Sequence, residues 1–553
     1  MRNIPRLTLV IGLVAVSLTL VIYVVGIGRS GVSSRARAAA ADLGNVGRVS
    51  FPVTSAPGIQ PDFDHAVAVL HSFFYEESER EFAAITERDP RCAMAWWGVA
   101  MSLWHPLWEP PDSVSLKRGW DAVQRAEAIG FGSERERAYV AALATFYRDW
   151  RHADHRTRAA AYERAMQQLS ARFPEDLEAA AFHALALDAT ADPRDKTYAR
   201  QRRALAILEP LYVRHPDHPG IVHYLIHSCD APPLAERALP AARHYAEIAP
   251  RVPHALHMPA HIFTRLGMWD ECILSNLAAA QAGREYAAAV CGGGAYYDEV
   301  HAFDYLEYAY LQKGQDVEAR AIRDSVLAIR RVSRQTLSFF YALASVPSRY
   351  ALERRDWRAA AELRLPPGWD WSRYPWTEAT LQYARALGGA RSGRLEVARE
   401  AAARLEAIRK DIKDPKLQYW ARQVDVQRRV AASWLAFAEG RREAALTGMQ
   451  AAAAIEDSSE KLPVTPGSVL PARELLGDML MELRLPAEAL EAYTATLETS
   501  PRRLYALAGA QRAAEACGRH AAARECATQL LAVAKDADGE RLEVGEARRL
   551  LRP

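Results

Sequence analysis

From residue 60 onward the apolar positions follow helical spacing. Ala, Leu, Arg and Glu dominate, and alternation of β-branched with polar residues is almost absent. The apolar positions also recur in a set order. Leu476-Gly477 and Leu480 are followed by Ala489, Tyr493 and Pro501. Phe82 and Pro90 keep the same interval as Tyr493 and Pro501, and Trp96 opens the next helix. Ala204, Leu208 and Pro216 repeat the order, and Ala319 stands just after the turn glycine Gly314. This predicts helical hairpins. The glycine lets two helices approach, the alanine packs against it, the aromatic fills the gap and the proline ends the second helix.

A different pattern occupies the N-terminus. Leu7 to Ile27 is uncharged and apolar, and about 20 such residues suffice to cross a bilayer as a helix. A cleaved signal peptide usually has an apolar core of only ~7–15 residues, although the small-residue site Ala36-Arg37-Ala38 leaves cleavage open. The expectation is a transmembrane signal-anchor over 1–28 and a Ser/Gly/Ala/Pro-rich tether over 29–59. The body is expected outside the cytoplasm, in a periplasmic setting. Arg2 and Arg6 on one flank oppose Arg29, Arg35 and Arg37 on the other, so the positive-inside rule barely discriminates.

Composition adds little to this picture and removes several classes. The 553 residues exceed one ordinary core, which calls for several domains or a repeat array. With 70 basic against 68 acidic residues the net charge is +2, so no overall charge draws the chain to nucleic acid. The six cysteines, Cys92, Cys229, Cys272, Cys291, Cys517 and Cys526, form no CxxC motif. Cys517 and Cys526 could pair across one hairpin in an oxidising compartment, whereas buried small hydrophobes are the simpler reading for most of the six.

The hairpin order resembles the tetratricopeptide repeat, a helix–turn–helix unit of 34 residues, over nearly all of residues 60 to 535. The resemblance implies an all-α fold, a right-handed α-solenoid with the first helix of each pair lining the concave side. More narrowly, HYLIH (223–227), HALHMPAHIFTRLG (254–267) and HAFDYLEYAYLQKG (301–314) look like blocks of a bacterial subgroup with a histidine-rich middle. That subgroup brings no settled activity. The period breaks at 106–135, 284–300 and 364–376, where insertions are expected. The middle one divides an N-terminal array (60–283) from a C-terminal array with its capping helix (301–553). Its Cys291-Gly292-Gly293-Gly294 and Tyr296-Tyr297 could fold over whatever the histidines bind.

Histidines carry the candidate chemistry. Sixteen occur in the chain, and His257 follows His223, as His261 follows His227, by one 34-residue repeat. Residues four apart share a helix face with Cβ atoms roughly 5–6 Å apart. His223, His227, His257 and His261 are therefore predicted to hold a transition metal jointly, with His254 and His301 in or near the first shell. His71 and His105 are 34 residues apart as well and extend the candidate set, and Asp230 and Asp304 are possible further ligands or acceptors. An imidazole shell suits Zn, Cu, Fe or Ni without choosing among them. The plain alternative is inherited repeat scaffold. His65, His183, His218 and His520 read as packing or surface residues, and His152 with His155 as a solvated turn.

Two functions stay open. One is a membrane-anchored repeat protein that holds a peptide or protein partner in its concave groove, lined by side chains such as Trp96, Trp104 and Tyr224. The other is a mono- or dinuclear metal-binding protein or metalloenzyme, redox or hydrolytic, on the same scaffold. Several enzyme classes fall away. HYLIH places Tyr224 where HExxH needs its general-base Glu, and neither GxSxG, a catalytic-cysteine signature, GxxxxGK[ST] nor GxGxxG occurs. No catalytic acid or base can be assigned.

Overall fold

The computed structural model describes residues 43–539 and 541–552. The apolar run 7–27 lies outside them. Among the described residues no helix is long and apolar enough to cross a membrane.

The described chain is an α-solenoid of successive helical hairpins. Consecutive helices pack on one another, and along part of the chain alternate helices pack as well. Tyr297–Lys313 lies on Leu337–Glu353, that helix on Pro375–Arg391, and that one on Gln418–Ala438. The only β pairing among the described residues is an isolated bridge between Ala295 and Val332. The hairpin signature packs as its residues require. A β-carbon at Gly477 would stand 2.8 Å from the Tyr493 ring and one at Gly509 2.4 Å, so the ring sits between two glycine-bearing helices. Gly98 accepts Phe82 in the same way.

Two expectations change. The assigned tether does not hang free from residue 43 onward, because Leu43, Val46, Phe51 and Ile59 are buried against the body. The expected insertions are mostly helix: Ser113–Ile129 packs on its neighbours, and Trp269–Val290 continues well past residue 284. Within these stretches the connections between α-helices are 103–112, 130–133, 291–296 and 363–374. All six cysteines are unbridged, Cys517 and Cys526 included.

The solenoid curls onto itself. Arg503, from the C-terminal hairpins, is fully buried between Glu474 and Glu353, and its amide neighbour Leu504 N donates to Gln312 Oε1. The loop 458–470 reaches into the middle of the molecule, where Tyr305 Oη lies 3.0 Å from the carbonyls of Pro463 and Thr465. The helices Tyr297–Lys313 and Leu337–Glu353 are consequently buried along their whole length. The concave side at the histidines is filled by the chain itself. Tyr224 is fully buried and Trp104 nearly so, which removes both from the groove lining expected for a partner.

Candidate metal centre

His223 and His227 stand on the helix Pro219–Ser228. Pro219 begins it, and the His218 side chain caps it by accepting from Ile221 N. His254 and His257 belong to the short helix Pro253–His257, and His261 to Pro259–Leu266, which stops at Gly267 in the left-handed region (φ 65°). The i, i+4 spacing of His257 and His261 predicts one continuous helix for the pair. Pro259 lacks the N–H that would continue the ladder, and the helix is broken at Met258. His301 comes from Tyr297–Lys313.

The six imidazoles gather as two groups of three, not as four with two attendants. In one, the nitrogens of His223, His227 and His254 lie within 4.8 Å of one another; in the other, those of His257, His261 and His301 do. The groups adjoin, with ring centroids 5.9 Å apart for His227 and His261 and 6.2 Å for His254 and His257. All six are buried.

Hydrogen bonds fix which nitrogen carries the proton on three rings. Asn276 Nδ2 donates to the Cys272 carbonyl at 2.8 Å, which turns Asn276 Oδ1 toward His257 Nδ1 at 2.7 Å. His257 must therefore donate from Nδ1. His261 Nδ1 donates to Asp230 Oδ2 at 2.9 Å, and His223 Nδ1 to the His71 carbonyl at 2.6 Å. Their Nε2 atoms are left with lone pairs. Nε2 of His257 and of His261 face each other at 3.1 Å, and Nε2 of His223 has no partner. Neither nitrogen of His227 has one either, nor His254 Nε2, nor His301 Nδ1. Buried polar atoms in folded proteins are overwhelmingly hydrogen-bonded, so this concentration of bare nitrogens is the anomaly of the molecule.

Electrostatics keep the set neutral. Burial lowers the pKa of all six rings, and neighbouring imidazoles add to the shift on His223, His227, His254, His257 and His301. For His261 burial outweighs the bond to Asp230. Asp230 is itself buried, which opposes its charge, yet Lys461 and Arg265 hold it well below the usual carboxylate range. Burial in turn brings Lys461 down to about 8.

Other candidates have different work. His71 Nε2 bonds Glu178 at 2.7 Å and its Nδ1 bonds Tyr224 Oη at 2.8 Å, while His218 Nε2 takes the other Glu178 oxygen at 2.8 Å. This His71–Glu178–His218 group is close enough to hold an ion, but its nitrogens are already used. His105 joins neither triad and packs on Tyr75, with centroids 4.4 Å apart. Asp304 accepts from Ser345 Oγ at 2.6 Å and pairs with buried Arg349, so it is a charge partner in the core. Asp230 orients His261 and is no member of either triad. His155 is not solvated as expected; burial lowers its pKa to about 4.

Several participants had no sequence signal. Asn276 and Lys461 lie on elements that meet the histidines only in three dimensions. Phe73 holds a left-handed backbone (φ 54°) and sets its ring 4.3 Å from His223, 5.6 Å from His227 and 5.7 Å from His254. Such a conformation is strained for a bulky residue. Trp108 stacks on His254 from the 103–112 connection at 5.9 Å.

The chain matches no protein-family model and no curated protein sequence. Solved structures similar to it include the human IFIT1 dimer with m7Gppp-AAAA, at 12% identity over 80% of this chain and 87% of that one, TM-score 0.34. The yeast Tom70 is 8% identical over 89% and 95%, TM-score 0.33, and the APC/C hetero-tetramer Cut9-Hcn1 11% identical over 89% and 96%, TM-score 0.27. At these values the likeness carries no argument about this chain.

Proposed function

We propose that the protein is a dinuclear metal-binding protein. His223, His227 and His254 would hold one transition-metal ion, and His257, His261 and His301 the other. The observation that carries the reading is the pair of opposed lone pairs at Nε2 of His257 and His261, 3.1 Å apart with each proton fixed on the far side of its ring. No hydrogen bond can satisfy them, and a cation between them would. The orienting acceptors Asn276, Asp230 and the His71 carbonyl are what metal-bound histidines ordinarily have behind them. Three neutral imidazoles per ion leave further coordination positions open, which an exogenous ligand could take.

The test is elemental analysis of the full chain purified without affinity-tag metal or chelator. Two equivalents of metal per chain are expected, falling to one or none in His227→Ala and His261→Ala variants of unchanged helix content. A chain that carries no metal and takes up neither Zn, Cu, Fe nor Ni overturns the reading. Membrane anchoring through residues 7–27, with the body outside the cytoplasm, is a separate proposal that rests on the length of the uncharged run. A reporter active only in the cytoplasm, fused to the C-terminus, tests it; strong reporter activity reverses the topology.

A further inference from the structure

The group His71–Glu178–His218 belongs to neither triad, yet its hydrogen bonds run back at both ends to the helix that carries His223 and His227. His71 is the last residue of the helix Gln60–His71, where backbone carbonyls have run out of helical donors. Its carbonyl accepts from His223 Nδ1 at 2.6 Å. Its ring is held by the next residue of the same helix, Tyr224, whose hydroxyl lies 2.8 Å from His71 Nδ1. The other ring nitrogen meets one Glu178 oxygen at 2.7 Å. The second Glu178 oxygen meets His218, the cap of the helix bearing His223, at 2.8 Å. Gly220 on that helix makes room for the ring, since a β-carbon there would stand 2.3 Å from His71 Nδ1. All the side chains of this circuit are buried.

The protons of the circuit can be placed. His218 Nδ1 accepts from Ile221 N at 3.3 Å, so its Nε2 carries the proton and donates to Glu178. Among the described residues His71 Nδ1 is the partner of the Tyr224 hydroxyl, which must donate to it or leave its own proton bare. His71 therefore carries its proton on Nε2 and donates to Glu178 as well. Glu178 accepts at both of its oxygens, which suits a carboxylate and not an amide. Burial opposes its charge, but the two imidazoles hold the carboxyl well below its usual range. Resting on the two-ion reading above, we infer that Glu178 is a positioning residue for the first ion, acting through His71. By fixing the His71 ring it fixes the carbonyl that takes the His223 proton, and with it the direction of the His223 Nε2 lone pair. Asp230 does directly for His261 what Glu178 does for His223 at one remove.

The test uses the full chain loaded with Zn(II), each equivalent being read by competition with a chelator of known affinity. Glu178→Gln keeps the shape of the side chain. Its oxygen can serve His218, but its amide N–H then faces His71 Nε2, so the His71 proton must move to Nδ1 and confront the Tyr224 hydroxyl. One equivalent should weaken about tenfold, the lower end of the usual cost of losing a partner behind a ligating histidine. The other should be unchanged and the helix content retained. Equal weakening of both, or of neither, overturns this inference and leaves the metal pair standing. A chain that takes up neither Zn, Cu, Fe nor Ni overturns both. Combined with Asp230→Asn, which acts through His261 on the other triad, Glu178→Gln should weaken both equivalents, each by its single amount. A single equivalent that bears both losses overturns the assignment to the first ion. His218→Asn still caps its helix but gives up the bond to Glu178, so it too should weaken one equivalent alone. It decides the matter if Glu178→Gln does not fold, and a loss shared by both equivalents or absent from both overturns the inference.

Discussion

His261 and Lys461, from opposite halves of the chain, converge on a single oxygen: Asp230 Oδ2 accepts from His261 Nδ1 at 2.9 Å and from Lys461 Nζ at 2.8 Å. The carboxylate thus orients a proposed ligand with one hand and is neutralised by a distant loop with the other. Replacing Asp230 by Asn keeps the shape and removes the charge. Metal affinity should fall ~10–100-fold, the usual cost of losing an acceptor behind a ligating histidine. The loss should fall on one of the two equivalents, read by competition with a chelator of known affinity; equal weakening of both, or of neither, contradicts the assignment.

Metal release should occur at unusually low pH. Free imidazole takes its proton near pH 6.5, but burial holds all six rings below that value. Protons therefore compete with metal only further down, and the midpoint of release in a pH titration followed by elemental analysis should lie below 6.5. A midpoint at or above 6.5 would contradict it. The stability of the metal-free chain is a poorer readout because two signs mix. A neutral buried imidazole contributes stability above about pH 6.5 that is lost as pH falls. Burial raises Asp188 to about 8 and Glu456 to about 7, so these acids contribute stability at low pH that is lost as pH rises through those values.

Asp304 and Arg349 separate scaffold from site. Arg349 is fully buried, with Asp304 and Glu307 as its charge partners. Arg349→Ala should destabilise the fold by ~3–5 kcal/mol, since it strands buried carboxylates. Asp304→Asn should leave the metal content at two equivalents. Chemical denaturation and elemental analysis on the same preparations give both numbers, and loss of an ion in Asp304→Asn would return that residue to the ligand set.

Gly509→Ala tests the packing of the repeats. Its β-carbon would meet the Tyr493 ring at 2.4 Å, and that ring is tethered by a 2.7 Å bond from its hydroxyl to Asp478. Overpacking of this kind costs ~1–3 kcal/mol, seen as a lower denaturation midpoint with helix content retained. An unchanged midpoint would mean that the hairpins slide apart freely.

The hairpins were legible in the sequence because their packing uses short, local intervals: Gly477, Ala489 and Tyr493 meet within a single unit. Four of the six histidines stood out for the same reason, as two i, i+4 pairs one repeat apart. The division of the six into threes could not be read, because His254 and His257, neighbours on one short helix, go to different groups, and His261 joins His257 from beyond the break at Met258. Spacing by repeat also drew in His71, whose helix carries it to a glutamate and a tyrosine, and His105, which lies in the 103–112 connection against Tyr75. Lys461 fixes charge from a loop that only the curl of the solenoid brings near, while Asn276 fixes a proton from Trp269–Val290, the helix directly after the histidines, where no spacing marks it. Periodicity reports what neighbours along the chain do and is blind to such closure.

The reach of the 458–470 loop into the middle of the molecule has a consequence for biogenesis. The ribosome releases every one of the six histidines long before Lys461 emerges, so the nascent chain exposes an unfinished imidazole cluster while its cover is still being made. Metal can enter during that interval without forcing the solenoid open. Only when the last hairpins dock does Lys461 reach the Asp230 carboxylate behind His261, so the electrostatic support of the second triad is completed by the final stage of synthesis.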